Sequence, residues 1–211
     1  DFMEKHCFDK DGRMFFEVTE EGLPLRKRRY VFSECFAAIA MSEYALASGD
    51  RTYAEKALDL FKRILRNLAT PGLLEPKYLP TLQARGHSIT MILINTASRI
   101  RAAISDPILD TQINESIAAI RRYFMHPEFK ALLEMVGPDG ELIDTCNGRV
   151  INPGHCIETA WFILEEAKHR HWDKDLVQMG IRILEWSWEW GWDKEYGGII
   201  NFRDCRNFPV Q

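Results

Sequence analysis

The feature that most restricts the fold is an alternation of two kinds of helix-forming segment. Residues 30–48 carry Val31, Phe32, Cys35, Phe36, Ile39, Met41, Tyr44 and Leu46, apolar on almost every side. A helix that is apolar all round must be buried all round. Gly49 is placed to stop this helix and Asp50 to cap the next. Residues 51–69 then put Ala54, Ala57, Leu58, Phe61, Ile64, Leu65 and Leu68 on one stripe, with Lys56, Lys62, Arg63 and Arg66 mostly opposite, so this helix has one wet face. The pair recurs at 86–105 and 107–124, and again at 154–169 and 174–190. An inner set of helices wrapped by an outer set meets that order. The buried helices begin near Ser33, Gly86 and Gly154, 53 and 68 residues apart. A repeat of about 60 residues built as a helical hairpin fits a solenoid or a closed toroid.

Turn signals lie between the hairpins at Asp9-Lys10-Asp11-Gly12, Pro138-Asp139-Gly140 and Glu195-Tyr196-Gly197-Gly198. Apolar neighbours (Met14-Phe15-Phe16, Leu142-Ile143 and Ile199-Ile200) predict small β-hairpins at the rim. No low-complexity linker divides the chain, so residues 1–211 read as a single α/α domain. Three hairpins are too few to close a ring, and the terminal repeats lack the polar outer faces of caps. The expectation is therefore a segment of a longer toroid, with further N- and C-terminal parts of the domain outside it.

Composition removes several functions. With 27 Lys+Arg against 31 Asp+Glu the formal charge is −4, which supports neither nucleic-acid binding nor a polybasic membrane anchor. No run approaches the ~20 apolar residues of a membrane span. Five widely spaced cysteines form no CxxC pair, so neither a disulfide framework nor a zinc knuckle is indicated, and a cytoplasmic setting is expected.

In a helical-hairpin repeat the inner helices run parallel, and their N-termini, with unpaired N–H groups and positive dipole ends, gather at one end. The polar residues of the apolar helices sit at those ends: Ser33 and Glu34, Gly86 and His87, Gly154, His155 and Glu158. His155 and Glu158 are three residues apart and share a helix face, and a carboxylate beside an imidazole orients the ring and raises its basicity. The bland reading is a capping or core histidine, which composition alone favours about two to one, and more strongly for His87, which has no local partner. Cys156 adjoins His155, but successive side chains diverge on a helix, which argues against a Cys–His dyad. Glu34 reads equally well as a first-turn acid complementing the helix dipole. The Trp186-Ser187-Trp188-Glu189-Trp190-Gly191-Trp192 cluster reads mostly as core, with Trp192, before a turn, as a candidate stacking face for a sugar ring.

The stretch Gly148-Arg149-Val150-Ile151-Asn152-Pro153-Gly154-His155-Cys156-Ile157-Glu158-Thr159-Ala160-Trp161-Phe162 resembles the GR-x-x-NPGH-x-x-E-x-x-WF signature of the N-acylglucosamine 2-epimerase (renin-binding protein) family. Two further blocks agree in the family's order: Phe32-Ser33-Glu34-Cys35-Phe36, and Gly191-Trp192-Asp193 leading to Tyr196-Gly197-Gly198 and Asn201-Phe202-Arg203-Asp204. The resemblance implies an all-α (α/α)6 toroid and an isomerase that interconverts N-acetylglucosamine and N-acetylmannosamine at C2. It implies His155 and Glu158 as catalytic groups, with a second histidine in family segments beyond Gln211. His87, Arg149, Asn152 and Trp192 are the candidate substrate contacts, Arg149 and Asn152 as donors to an enediolate oxygen. No metal or cofactor is expected, although the resemblance leaves room for a nucleotide effector. The expected partners are a small sugar and a second copy in a homodimer. Rival readings are an aldose–ketose isomerase or disaccharide 2-epimerase on the same fold, and a non-catalytic toroid that binds a protein.

Overall fold

The computed structural model describes residues 1–79 and 81–210. Its helices are α1 (Phe2–His6), α2 (Phe32–Ser48), α3 (Arg51–Ala69), α4 (His87–Ala103), α5 (Pro107–Ala119), α6 (Pro153–His169) and α7 (Lys174–Gly191). Two-residue or four-residue strands fill the gaps: β1 (Phe15–Val18), β2 (Pro24–Lys27), β3 (Arg85–Gly86), β4 (Met125–His126), β5 (Ala131–Leu132), β6 (Met135–Val136), β7 (Val150–Ile151) and β8 (Arg203–Asp204). The helix boundaries follow from local chemistry. Gly49 ends α2 with φ of 76°, a left-handed position that costs glycine least. Asp50 caps α3 through Thr52 N–H, Asn152 caps α6 through His155 N–H, and Asp173 caps α7 through Leu176 N–H. The expected fourth segment, 107–124, is helical throughout, but its last turn (Ile120–Phe124) widens to a π-helix. No described helix is long and apolar enough to cross a membrane.

The chain divides into two compact units. The first comprises Asp1–Leu79 and Thr96–Thr111. Here α2 and α3 form an antiparallel hairpin whose core includes Cys35, Ala38, Ala57, Phe61 and Ile64. One face of α2 departs from the all-round burial expected of it: Phe36 is 59% and Tyr44 53% exposed. Its buried residues cluster on one side (Glu34, Cys35, Ala38, Met41, Ser42, Ala45), because an apolar surface is buried only where another element covers it.

The second unit holds the remaining described residues. Its centre is the α6–α7 hairpin, and Gly180 is the reason these helices come so close. A Cβ built there would lie 2.6 Å from Leu164 Cγ and 3.3 Å from the Ala160 carbonyl oxygen. The leads into α4 and α6 are each held by a short strand pair, β3 with β6 and β7 with β8. The hairpin expected around Pro138-Asp139-Gly140 is corrected: Leu142 and Ile143 form no strand, and Met135–Val136 pairs instead with Arg85–Gly86. The tight turn is real, closed by Gly137 N–H donating to the Glu141 carbonyl, but the strand before it finds a partner far back in the chain. The hairpin after Trp192 survives as the single bridge Trp192–Ile199.

Overpacking a filled contact typically costs about 1–3 kcal/mol. Gly180→Val is expected to destabilise the protein by that amount in denaturant titration, whereas the same change at Gly49, which has no atom near its Cβ direction, acts only through its left-handed backbone.

Candidate active site

The site is built at the start of α6. β7 delivers the chain to Asn152, whose side-chain oxygen accepts the His155 N–H at 3.2 Å, and Pro153 occupies the first helical turn. This fixes His155 in the first turn of α6, with its side chain 38% exposed. Its Nδ1 lies 3.0 Å from Glu134 Oε1. Glu134 sits between β5 and β6, and its backbone is clamped on both sides. Its N–H donates to the Val150 carbonyl at 3.1 Å, and its carbonyl accepts the His87 N–H at 3.0 Å. One residue thereby joins the lead-in to α6 and the first residue of α4. A second imidazole approaches the same oxygen: His87 Nδ1 lies 3.6 Å from Glu134 Oε1, an ion-pair separation beyond hydrogen-bond reach. His87 is wholly buried, its ring edge-on to Phe124 at 5.5 Å, and the π-helical turn before β4 supplies that phenylalanine.

These contacts decide the charge of Glu134. Burial alone would push its carboxyl up, but the hydrogen bond from His155 and the nearness of His87 outweigh that and hold it down at about 2. Cys156, beside His155, points the other way. Its buried thiol donates to the Leu132 carbonyl, and desolvation together with the Glu134 charge pushes it well up, which leaves no thiolate for nucleophilic chemistry.

The candidate residues read from the sequence are placed as follows. His155 and Asn152 come together at the α6 cap. Glu158 lies one turn further, exposed, and the carboxylate on His155 Nδ1 is Glu134, 21 residues away in sequence. His87 is brought to the same carboxylate from behind. Arg149 is spent on ion pairs, Nε to Asp204 at 2.8 Å and Nη1 to Asp144 at 2.9 Å, which together raise its already high pKa. Trp192 caps α7 and stacks on Trp188 at 4.8 Å, leaving it 38% exposed. In the other unit Glu34 is held by Arg13 Nε at 2.5 Å and Met14 N–H at 3.0 Å. Among the described residues no group of three His, Cys, Asp or Glu side chains can hold a metal. Sequence reasoning missed Glu134 and Thr159. A signal for the first was available: Ala131-Leu132-Leu133-Glu134-Met135-Val136 is a buried apolar run broken by one acid, and acids are almost never buried unpaired.

Comparison with known proteins gives one consistent answer. The family model described as N-acylglucosamine 2-epimerase (GlcNAc 2-epimerase) matches residues 1–211. The N-acylglucosamine 2-epimerase of Bos taurus is 30% identical over 195 residues, 90% of this chain and 46% of the bovine protein. That of Homo sapiens is 30% identical over 207 residues, 93% of this chain and 47% of the human protein. The chain thus spans about half the length of the curated relatives it matches. Among solved structures, cellobiose 2-epimerase from Bacillus thermoamylovorans B4167 superimposes with a TM-score of 0.80 at 18% identity, over 96% of this chain and 56% of that one. The likeness shows the fold class, an α/α toroid, one of the two architectures that fit the helix alternation.

A carboxyl held at about 2 against an ordinary value of 4.5 favours the folded state above that ordinary value, and the benefit is lost as pH falls from 4.5 towards 2. In denaturant titrations the stability gap between the wild type and Glu134→Gln is therefore expected to narrow across that window.

Proposed function

Because this chain belongs to the N-acylglucosamine 2-epimerase family, we propose that the protein is a carbohydrate 2-epimerase that interconverts N-acetylglucosamine and N-acetylmannosamine, with His155 moving the proton at C2. The observation that carries the reading is the 3.0 Å bond between His155 Nδ1 and Glu134. A carboxylate can only accept, so the neutral ring keeps its proton on Nδ1 and presents a lone pair at Nε2. The C2 proton of an open-chain sugar is acidified by the adjacent carbonyl. Its removal needs a base that is neutral near pH 7, and an unperturbed histidine titrates at about 6.5.

Removing the proton leaves an enediolate, whose negative charge suits the positive end of α6 at Asn152–His155. Return of a proton to the opposite face of C2 completes the inversion, and that step falls to a second acid, which the family resemblance makes a histidine. Glu158, exposed one turn beyond His155 on the same helix, is available to a sugar hydroxyl. The partial exposure of His155 fits a group that must meet a substrate, just as the full burial of His87 fits one that works through its neighbours.

His155→Asn in the intact protein is expected to lower kcat by about 10²–10⁴-fold, the usual cost of losing a general base. Affinity for N-acetylmannosamine should stay within a few-fold, because ground-state binding rests on hydroxyl contacts. Steady-state epimerisation and calorimetric binding decide the matter. Retention of more than about a tenth of wild-type kcat would return His155 to the role of a helix-start residue.

A further inference from the structure

Behind His155 the structure closes a polar circuit. Thr159 follows His155 by four residues in α6, so its hydroxyl reaches back and donates to the His155 carbonyl at 2.8 Å. That hydroxyl has one proton, and a carbonyl can only accept. His87 Nε2, 3.1 Å from the same Thr159 oxygen, must therefore be the donor in that contact. The other nitrogen of His87 faces Glu134 Oε1 at 3.6 Å, and the same oxygen takes the His155 Nδ1–H at 3.0 Å. The circuit runs from the His155 backbone through Thr159, His87 and Glu134 back to the His155 ring. With its proton on Nε2, a neutral His87 turns the lone pair of Nδ1 towards Oε1, so the hydrogen bond that this oxygen accepts is that of His155. Glu134 faces His87 from α4 and, from α6, both His155 and the Cys156 thiol, which its charge pushes up.

We propose that Glu134 is the positioning residue that fixes the tautomer of His155 and raises its basicity, with His87, held by Thr159, packed behind the carboxylate. The inference deepens the reading of His155 as the base and rests on it for its catalytic meaning. The physics is that of a carboxylate–histidine pair in a water-poor setting. The bond to Glu134 requires N–H at Nδ1, and a proton arriving at Nε2 then places a positive ring 3.0 Å from a negative charge, which favours the protonated form. His87 has no solvent exposure and can act on the reaction only through what it touches.

The test needs no substrate. In the intact protein with 15N-labelled histidine, long-range 15N–1H spectra across pH report the tautomer and titration midpoint of each imidazole. Wild-type neutral His155 is expected as the Nδ1–H tautomer. Glu134→Gln keeps an acceptor oxygen but removes the charge, and should lower the His155 midpoint by about one pH unit or more. Glu134→Asp, which keeps the charge, should bring the midpoint back towards the wild type. In kinetics the acid limb of kcat/KM, set by deprotonation of the base, should move to lower pH in Glu134→Gln, a shift that loss of packing alone would not produce. An unchanged His155 tautomer and midpoint in Glu134→Gln would overturn the role of Glu134. Failure of the epimerase reading would be recognised separately, as these midpoint shifts without turnover of the sugar.

Discussion

One half-buried carboxylate sets the terms for the rest of the site. Glu134 is an acid in an apolar strand region, and a charge in such a place is tolerated only when paired and hydrogen-bonded. Its partners are the ring of His155 at 3.0 Å and that of His87 at 3.6 Å, both at helix starts. Its backbone is tied to Val150 and His87, so the carboxylate cannot drift from either helix. The same contacts that satisfy a costly charge also orient the histidine that meets solvent. On the proposed mechanism, stability and reactivity depend on one group.

Two of the sequence blocks that look like separate motifs, 148–162 and 191–204, turn out to be one structural piece. Arg149 opens the long signature and Asp204 closes the last one, and they meet in a 2.8 Å ion pair beside the β7–β8 pairing of Val150 with Asp204. Asp144 extends the network to both Arg149 and Arg206, and the Phe208 ring lies 4.9 Å from the Arg149 guanidinium carbon. A guanidinium so engaged holds the approach to α6 in place. It is less suited to contacting a sugar than its position in the motif suggests.

Much of the fold was legible in the sequence because helices announce themselves locally. Asp50, Asp173 and Asn152 cap the helices they precede, Gly49 ends α2, and α3 covers the residues 51–69 that the apolar stripe marks out. What stayed hidden was set by distant pairing. The partner of Met135–Val136 lies 50 residues back at Arg85–Gly86, and no local pattern specifies such a match. The β2 strand Pro24–Lys27, exposed along its whole length, has no alternation to betray it. The site follows the same rule. His155 was found from its motif, but helical spacing pointed to Glu158 as its carboxylate partner, whereas Glu134 comes from a strand region 21 residues earlier.

The most direct measurement is the fate of the C2 hydrogen when the intact protein works in heavy water. If His155, oriented by Glu134, removes the C2 proton and a second acid in exchange with solvent returns one to the opposite face, N-acetylmannosamine formed from N-acetylglucosamine must carry deuterium at C2, and Glu134→Gln must slow that labelling. Epimer that forms at the normal rate with its original C2 hydrogen retained would contradict a solvent-exchanging histidine base, and with it the role assigned to the Glu134–His155 pair.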